Sequence, residues 1–193
     1  MKRINSRILI AQLQSDVREI ILKADQLQHL SHTQIQQKPG EKKWSVIEVI
    51  DHLNFYCRYY ITEIEKALAT NDTAATAEFK SGWLGNYFTK IMKPKEGNSI
   101  PNKMSAPKNA LPSANINVTE SLNEFISHQH HLINLIQIAD ACNLNSIRIS
   151  TSLHKWITLK LGDTFQFLIA HEQRHFIQIS NVLLSLQNTR VVN

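Results

Sequence analysis

Apolar residues recur every three or four positions in the first part of the chain, and this spacing predicts two amphipathic helices. The first helix is expected over residues 9–27. The second is expected to begin at Ser45 and to run to about Leu68. Ser45 and Glu48 have the spacing of a capping box, in which each side chain accepts a hydrogen bond from the other residue's backbone N–H. Pro39 marks a turn between the two helices.

Two further amphipathic helices are predicted in the second half of the chain. The third begins near Asn117, and the fourth begins at Gly162-Asp163 with Asp163 as its N-cap. One face of the fourth helix carries a seam of Leu168, His171, His175, Ile179, Val182 and Leu186. No segment shows the apolar–polar alternation that predicts a strand.

The connection between the second and third helices spans residues 71–118 and is not expected to form one helix. It contains Pro94, Pro101, Pro107 and Pro112, and proline breaks the interior of a helix. An apolar piece at about 79–92 is expected to cover aromatic side chains of the second helix. A connection of this length is uncommon in a compact domain unless it has a function, such as covering a site.

These elements predict an all-α fold, a four-helix bundle with a long, partly helical connection between helices 2 and 3. Amphipathic helices that have no sheet to pack on bury their apolar faces against each other. The short link between helices 1 and 2 favours antiparallel neighbours, whereas the long connection allows helices 2 and 3 to run parallel. A length of 193 residues favours a single domain over residues 1–193.

The composition indicates the kind of protein and its cellular environment, but not its function. Hydrophobic residues make up 42% of the chain, which is typical of a globular protein, and the formal charge of +5 is scattered. Because no Lys/Arg block is present, no nucleic-acid partner is expected. No apolar run is long enough for a membrane span or a signal peptide, and Cys57 and Cys142 cannot form a disulfide framework. A soluble, reducing, cytoplasmic setting is the expectation.

The fourth predicted helix contains the string HEQRH, which places His171 and His175 four residues apart. Such residues lie about 40° apart around the helix axis and about 6 Å apart along it, so both imidazoles can reach one metal ion. An inward imidazole pair must bind a ligand or form hydrogen bonds, since an unpaired buried polar group costs about 1–3 kcal/mol. Two interpretations stay open from the spacing alone: a metal site, or packed imidazoles bonded to carbonyls or water.

The same string matches the H-E-x-x-H pattern of zinc proteases, whose third metal ligand usually lies downstream. Residues 176–193 contain no Asp, Glu, His or Cys, so that arrangement is not expected. A third protein ligand must then come from upstream. His52 is the first candidate, because it lies on the predicted inward face of the second helix. His128, which can share a face with apolar residues of the third helix, is the second candidate.

Three strings of the chain resemble the DinB-like (YfiT-like) superfamily of bacterial four-helix-bundle proteins. They are KWSVIEVIDHLNFY, MSAPKNALPSANINVTESLNEF and LGDTFQFLIAHEQRHFIQISNVL. Members typically have a Trp-Ser start to helix 2, a histidine about two turns later, and a C-terminal H-x-x-x-H helix followed by glutamine. The corresponding residues of this chain are Trp44, Ser45, His52, His171, His175 and Gln178.

The resemblance implies an up-down-down-up bundle, often a homodimer, in which His52, His171 and His175 bind a divalent metal ion. Zn²⁺ is the first expectation and Ni²⁺ the second, because both accept imidazole ligands. Some relatives are metal-dependent thiol S-transferases that use low-molecular-weight thiols such as bacillithiol. Others are named only for induction by DNA damage, so the family name does not imply DNA binding.

Three neutral imidazoles on a divalent ion would leave one coordination position open, which is the arrangement of catalytic rather than structural sites. The first functional hypothesis is therefore a metal-dependent thiol S-transferase acting on a small-molecule substrate. The alternatives are a metal-dependent hydrolase and a non-catalytic, metal- or ligand-binding stress protein. Glu172, which follows His171, is the candidate general base, with an ordinary buried or rim carboxylate as the equal alternative.

Other residues near the predicted site have simpler first interpretations. Glu48 and Tyr56 lie one turn from His52 and could orient its ring, but the capping box is the preferred role of Glu48. Cys57 is expected to be a small buried filler. For Lys90, Lys93 and Arg174 a solvated surface position is preferred over contact with a substrate carboxylate. Core or rim packing is preferred over a ligand cage for Trp44, Trp83 and Trp156.

Overall fold

Helices dominate the computed structural model, which describes residues 3–94, 100 and 104–191. The helices are α1 (Ser6–Gln28), α2 (His32–Gln36), α3 (Val46–Ala69), α4 (Trp83–Met92), α5 (Val118–Ala139) and α6 (Leu161–Val191). The remaining elements are a 3₁₀ turn (Lys108–Ala110) and the short strands β1 (Arg3–Asn5), β2 (Glu78–Lys80), β3 (Arg148–Ser150) and β4 (Thr158–Lys160). The predicted helical class is thereby confirmed, whereas the predicted breaker Pro101 lies outside the described residues.

The four long helices pack on one another. Helix α5 packs against α1 and α3, and α6 packs against the same two helices. Each of the four contributes fully buried apolar side chains to the core, such as Val17, Ile50, Leu132 and Leu168. The predicted mutual burial of four amphipathic helices is therefore observed, and the up-down-down-up order of their directions stays a prediction.

Two of the predicted helix starts are confirmed by their hydrogen bonds. Ser45 and Glu48 form the expected capping box at the start of α3, with both reciprocal bonds present. The side chain of Asn117 accepts a hydrogen bond from the backbone N–H of Glu120 at 3.2 Å and so caps α5. These caps satisfy backbone N–H groups that have no partner inside the helix.

The predicted start of the last helix is wrong. Helix α6 begins at Leu161, so Asp163 lies in its first turn rather than at the N-cap. Its carboxylate accepts hydrogen bonds from the hydroxyl of Ser81 and, at 2.8 Å, from the backbone N–H of Gly82. The side chain therefore caps the start of α4, which follows Gly82, because a residue distant in sequence offers donors that the local pattern does not reveal.

Two small antiparallel sheets are present although no strand was predicted. Strand β1 pairs with β2 and ties the start of the chain to the long connection, while β3 pairs with β4 directly before α6. Each strand has three residues, which is too short to show the alternation from which strands are predicted. In the part of the chain that the structure describes, no helix has the length and apolar character needed to cross a membrane.

The apolar piece of the long connection is helical over Trp83–Met92, whereas Phe79 lies in β2. The connection is thus partly helical as expected, but the piece covers a different partner. Helix α4 packs chiefly against α6 rather than α3, and the rings of Phe88 and Phe167 lie 6.0 Å apart between centroids. Gly85 permits this close approach, because a Cβ atom at that position would lie 2.3 Å from the Cβ of Asp163. The connection thereby covers the helix that carries the HEQRH string.

Candidate metal centre

Three imidazoles from two helices converge in the interior of the protein. Helix α3 presents His52, and α6 presents His171 and His175 from successive turns. One nitrogen atom can be chosen from each ring such that the three atoms all lie within 4.8 Å of one another. The three predicted ligands are therefore brought together, and we call them the imidazole cluster.

The rings of the imidazole cluster are close and inclined to each other. The centroid of the His52 ring lies 5.3 Å from that of His171 and 4.7 Å from that of His175, and the latter two are 4.5 Å apart. The Nε2 atoms of His171 and His175 approach to 3.1 Å. His52 and His171 are buried, and His175 is partly buried. Separations of this size allow one small cation to contact all three rings.

Hydrogen bonds on the outer side of two rings determine which nitrogen faces the cluster. The Nδ1 of His52 donates to the backbone carbonyl of Ala110 at 2.7 Å, because a carbonyl oxygen can only accept. The Nδ1 of His175 donates to Oε1 of Gln178 at 2.9 Å. Each Nε2 then carries a lone pair toward the cluster, which is the tautomer that a metal ligand requires.

The third ring has no arrangement that satisfies both of its nitrogens within the described residues. The Nδ1 of His171 is buried and has no hydrogen-bond partner there. Its Nε2 faces the lone pair of His175, so in the protein alone it must donate to that nitrogen and leave Nδ1 as an orphaned acceptor. A cation held by three Nε2 lone pairs would replace this imidazole–imidazole contact. The donor set therefore fits a divalent metal.

The surroundings keep the three imidazoles neutral. Burial is the largest cause in each case: it lowers the pKa of His52 below its usual value and that of His171 far below it. Burial, assisted by the repulsion that would arise if His52 and His175 were both protonated, lowers the pKa of His175 to about 3. Because metal binding needs deprotonated ligands, these shifts prepare the cluster for a cation at neutral pH.

Aromatic side chains enclose the imidazole cluster. The ring of Trp44 lies 5.1 Å from that of His52, and the rings of Tyr56 and Phe167 lie 4.5 Å and 6.2 Å from that of His171. Burial raises the pKa of Tyr56 to about 12, so its hydroxyl stays protonated. Tyr56 therefore contributes an apolar wall, and within the described residues it forms no hydrogen bond that would orient His52.

Glu172 points into a different part of the interior. Its Oε1 accepts hydrogen bonds from Nε2 of Gln129 at 2.9 Å and from the thiol of Cys57 at 3.3 Å. Its Oε2 is buried without a partner among the described residues. Burial raises the pKa of this carboxyl to about 7, and the two hydrogen bonds oppose the shift. The general-base role of Glu172 stays a prediction.

Two other candidate residues have partners away from the cluster. Glu48 accepts from the backbone N–H of Ser45 at 2.8 Å and pairs with Lys38 at 2.7 Å, so its preferred capping role is confirmed. His128, the second candidate for the third ligand, lies 3.3 Å from the carboxylate of Glu124 on its own helix. It belongs to no group of potential metal ligands in the described part of the chain.

The expectation for Arg174 needs correction, and the tryptophans divide between core and surface. Arg174 is only 6% exposed and its guanidinium donates to the carbonyl of Ile91 at 3.4 Å, so it is not a solvated surface cation. Trp83 and Trp156 are 74% and 88% exposed, so neither is a core residue, although the ring of Trp83 stacks on that of Tyr87. Trp44 packs against the core. The sequence pattern could not tell the partly buried tryptophan from the exposed ones. It predicts which face of a helix is apolar, but not whether another part of the chain covers that face.

Sequence reasoning missed two groups that complete the interior around the cluster. The carbonyl of Ala110 left no signal, because any residue supplies a carbonyl and its position depends on the path of the connection. Gln129 did leave a signal, since it is the polar member of the apolar seam of α5. A buried amide in such a seam requires a hydrogen-bonding partner, and that partner is Glu172.

A family model described as the DinB superfamily matches residues 15–179 of the chain. The matched range includes all three members of the imidazole cluster. No curated protein and no solved structure matches the chain.

Proposed function

The chain belongs to the DinB superfamily, and we propose that it is a metal-dependent enzyme, a thiol S-transferase, whose divalent cation is held by His52, His171 and His175. The observation that carries the proposal is the convergence of three imidazoles, two of them buried and one partly buried. His52 and His175 turn an Nε2 lone pair inward. Three protein ligands are the number found at catalytic sites, because a tetrahedral ion then has one position left for a reactant. Zn²⁺ is the first choice of ion and Ni²⁺ the second.

The bound ion would supply Lewis acidity, lowering the pKa of a thiol or a water that reaches the site. The chain's own residues prepare the place where this happens. The carbonyl of Ala110 and the side chain of Gln178 hold two rings in the ligand tautomer. The rings of Trp44, Tyr56 and Phe167 exclude water around the imidazoles, and a low dielectric strengthens electrostatic effects inside the site.

The placement of Glu172 favours a thiol over water as the reactant. Activation of water commonly uses a carboxylate that accepts a proton beside the metal. The carboxylate of Glu172 is instead turned toward Cys57 and Gln129. A thiol has a pKa near 8.5 and needs much less help to lose its proton than water, whose pKa is far higher. In the proposed reaction the sulfur forms a bond to an electrophilic carbon, the leaving group departs from that carbon, and the thiol proton passes to solvent.

Metal analysis tests the binding part of the proposal. Protein produced without a histidine tag is expected to contain about one divalent ion per chain, and His52→Ala is expected to lose it. His128→Ala is the matched control, since it removes a partly buried histidine outside the cluster and should keep the ion. Retention of the metal by His52→Ala would contradict the ligand assignment.

An activity assay tests the transferase part and separates the alternatives. The metal-loaded protein is incubated with a panel of low-molecular-weight thiols and a chromogenic electrophile, with His171→Ala as the baseline. Thiol consumption above this baseline supports the transferase. Turnover of esters or amides without added thiol would indicate the hydrolase instead, and a bound metal with no turnover of either kind would indicate a storage or sensing protein.

A further inference from the structure

A second polar cluster is buried beside the imidazoles. It consists of Cys57, Gln129 and Glu172, which have no exposed surface, and we call it the Glu172 cluster. Both donors meet the same oxygen, Oε1 of Glu172. Burying a carboxylate is costly even when it is hydrogen-bonded, so an apolar residue at this position would be the simpler way to fill the core.

The Glu172 cluster connects the same helices that bring the imidazoles together. Cys57 lies on α3, which carries His52, and Glu172 directly follows His171 on α6. Gln129 belongs to α5, which contributes no imidazole. One carboxylate oxygen of α6 therefore accepts hydrogen bonds from both α3 and α5, close to the imidazole cluster.

Because His171 and Glu172 are neighbours on one helix, the hydrogen bonds of Glu172 also limit the direction in which His171 can point. Residues 171 and 172 project about 100° apart around the helix axis, so a bond at one of them limits the rotation that would move the other. A rotation of α6 by about 5° would displace atoms about 6 Å from its axis by about 0.5 Å. Metal–nitrogen distances tolerate only about 0.2 Å. Apolar packing has no direction of its own, whereas two hydrogen bonds to one oxygen do.

We infer that Glu172 is a positioning residue: by accepting from Cys57 and Gln129 it sets the rotation of α6, and so aims His171 and His175 at the point that His52 faces. The inference rests on the proposed metal site. It assigns Glu172 no contact with the reactants, in contrast to a general base. What matters in this role is the acceptor oxygen and its direction rather than a negative charge.

Co²⁺ titration, followed by the visible absorption of the bound ion, tests the inference with variants of matched size. Glu172→Gln keeps an acceptor oxygen and is expected to bind Co²⁺ about as tightly as the wild type. Glu172→Met removes the acceptor and is expected to bind about 10–100-fold more weakly, the usual effect of losing a residue that orients metal ligands. The absorption spectrum of its Co²⁺ form should also change, because the imidazoles meet the ion at altered angles.

Asn54→Leu is the control for a general loss of stability. Asn54 is buried on α3 and donates to the carbonyl of Ser121 on α5 at 2.9 Å, so its removal loosens a buried hydrogen bond without touching α6. We expect a lower melting temperature and unchanged Co²⁺ affinity. Equal weakening of Co²⁺ binding by Asn54→Leu would overturn the inference, because the loss would then reflect loosening of the core.

The remaining outcomes are also decisive. Wild-type affinity and spectrum in Glu172→Met would overturn the positioning role, and loss of turnover in Glu172→Gln at unchanged Co²⁺ affinity would indicate a general base. If Glu172→Met does not fold, Gln129→Met removes one donor and is expected to weaken Co²⁺ binding in the same direction; unchanged binding there would overturn the inference. A wild-type chain that binds no Co²⁺ would instead disprove the metal site itself.

Discussion

Helix α6 carries two buried polar sites that differ in where their partners come from. At its start, the carboxylate of Asp163 accepts from the hydroxyl of Ser81 and the backbone N–H of Gly82. Two turns later, His171 and His175 face each other and His52, and Nδ1 of His171 has no partner among the described residues. The chain completes the hydrogen bonding of the first site but not that of the second.

This difference separates a structural role from a binding role. Burial lowers the pKa of all three imidazoles and raises that of Asp163, so burial alone does not distinguish the sites. The distinguishing feature is convergence: three ring nitrogens face a common point, where the described residues offer no donor besides the rings themselves, and a cation would supply what is missing. Asp163, by contrast, already has the donors that a buried carboxylate needs.

The largest expected effect is the response of the second site to metal. A cation that binds only the native state at a concentration of 1,000 Kd should raise the free energy of unfolding by about 4 kcal/mol. Urea unfolding of wild-type protein, with Zn²⁺ and with a chelator, measures the difference. His171→Ala should lose this increment, whereas Asp163→Asn should keep it. An equal increment in His171→Ala would mean that the ion binds elsewhere.

Breaking the first site should produce the next largest effect. Asp163→Ala leaves the hydroxyl of Ser81 and the N–H of Gly82 without their acceptor, and we expect a loss of about 3 kcal/mol in the free energy of unfolding. Asp163→Asn retains one acceptor oxygen and should lose less. Metal affinity should stay at the wild-type value in both variants, because the imidazoles keep their own partners. A matching loss of metal affinity would show that the two sites are not independent.

The two sites also differ in how far they could be predicted. Helix geometry predicted the pairing of His171 and His175 and made His52 the first candidate for a third ligand, with His128 as the second. The set of three was what the resemblance to the DinB-like superfamily implied. The role of Asp163 could not be found this way. Its spacing before the apolar seam is that of an N-cap, and the donors it uses belong to a distant connection. Contacts between segments far apart in sequence leave no periodic signal.

The fold shows the same division between local and distant determinants. The four long helices were predictable because each has an apolar face and, in two cases, a confirmed cap. The three-residue strands were missed, and helix α4 was expected on α3 rather than α6. Helix α4 can pack on α6 because Gly85 has no side chain. The sequence does not reveal this, since Asp163, the residue that a side chain at Gly85 would meet, is distant in sequence.

A substitution at Gly85 can therefore disturb the Asp163 site through a steric clash, without removing any of its hydrogen-bonding groups. A Cβ atom there would lie 2.3 Å from Asp163, so Gly85→Ala must push α4 away, and we expect a loss of about 2 kcal/mol in the free energy of unfolding. Gly40→Ala is the control, because its new Cβ would have only ordinary contacts, the nearest at 3.7 Å from Lys43. Urea unfolding of both variants is the measurement. A neutral Gly85→Ala would show that the two helices are not held at this distance.

Acidification is expected to have the smallest effect on stability, because protonation of the three imidazoles and protonation of the Glu172 carboxyl change the free energy of unfolding in opposite directions. The imidazoles have lowered pKa values in the folded metal-free chain, so the unfolded chain binds more protons below pH 6.5 and their contribution is lost as the pH falls. The pKa of Glu172 is raised to about 7, so the folded chain takes up its proton first and gains stability over the same range.

Three imidazoles outweigh one carboxyl, and we expect a net loss of about 1 kcal/mol between pH 7 and pH 6 in the metal-free chain. Glu172→Gln removes the opposing group, so the loss should grow to about 2 kcal/mol. Urea unfolding at the two pH values measures both. A stability that rises on acidification of the wild type would mean that folding does not lower the pKa values of the imidazoles as expected, and burial would then not be what keeps the nitrogens of the cluster neutral.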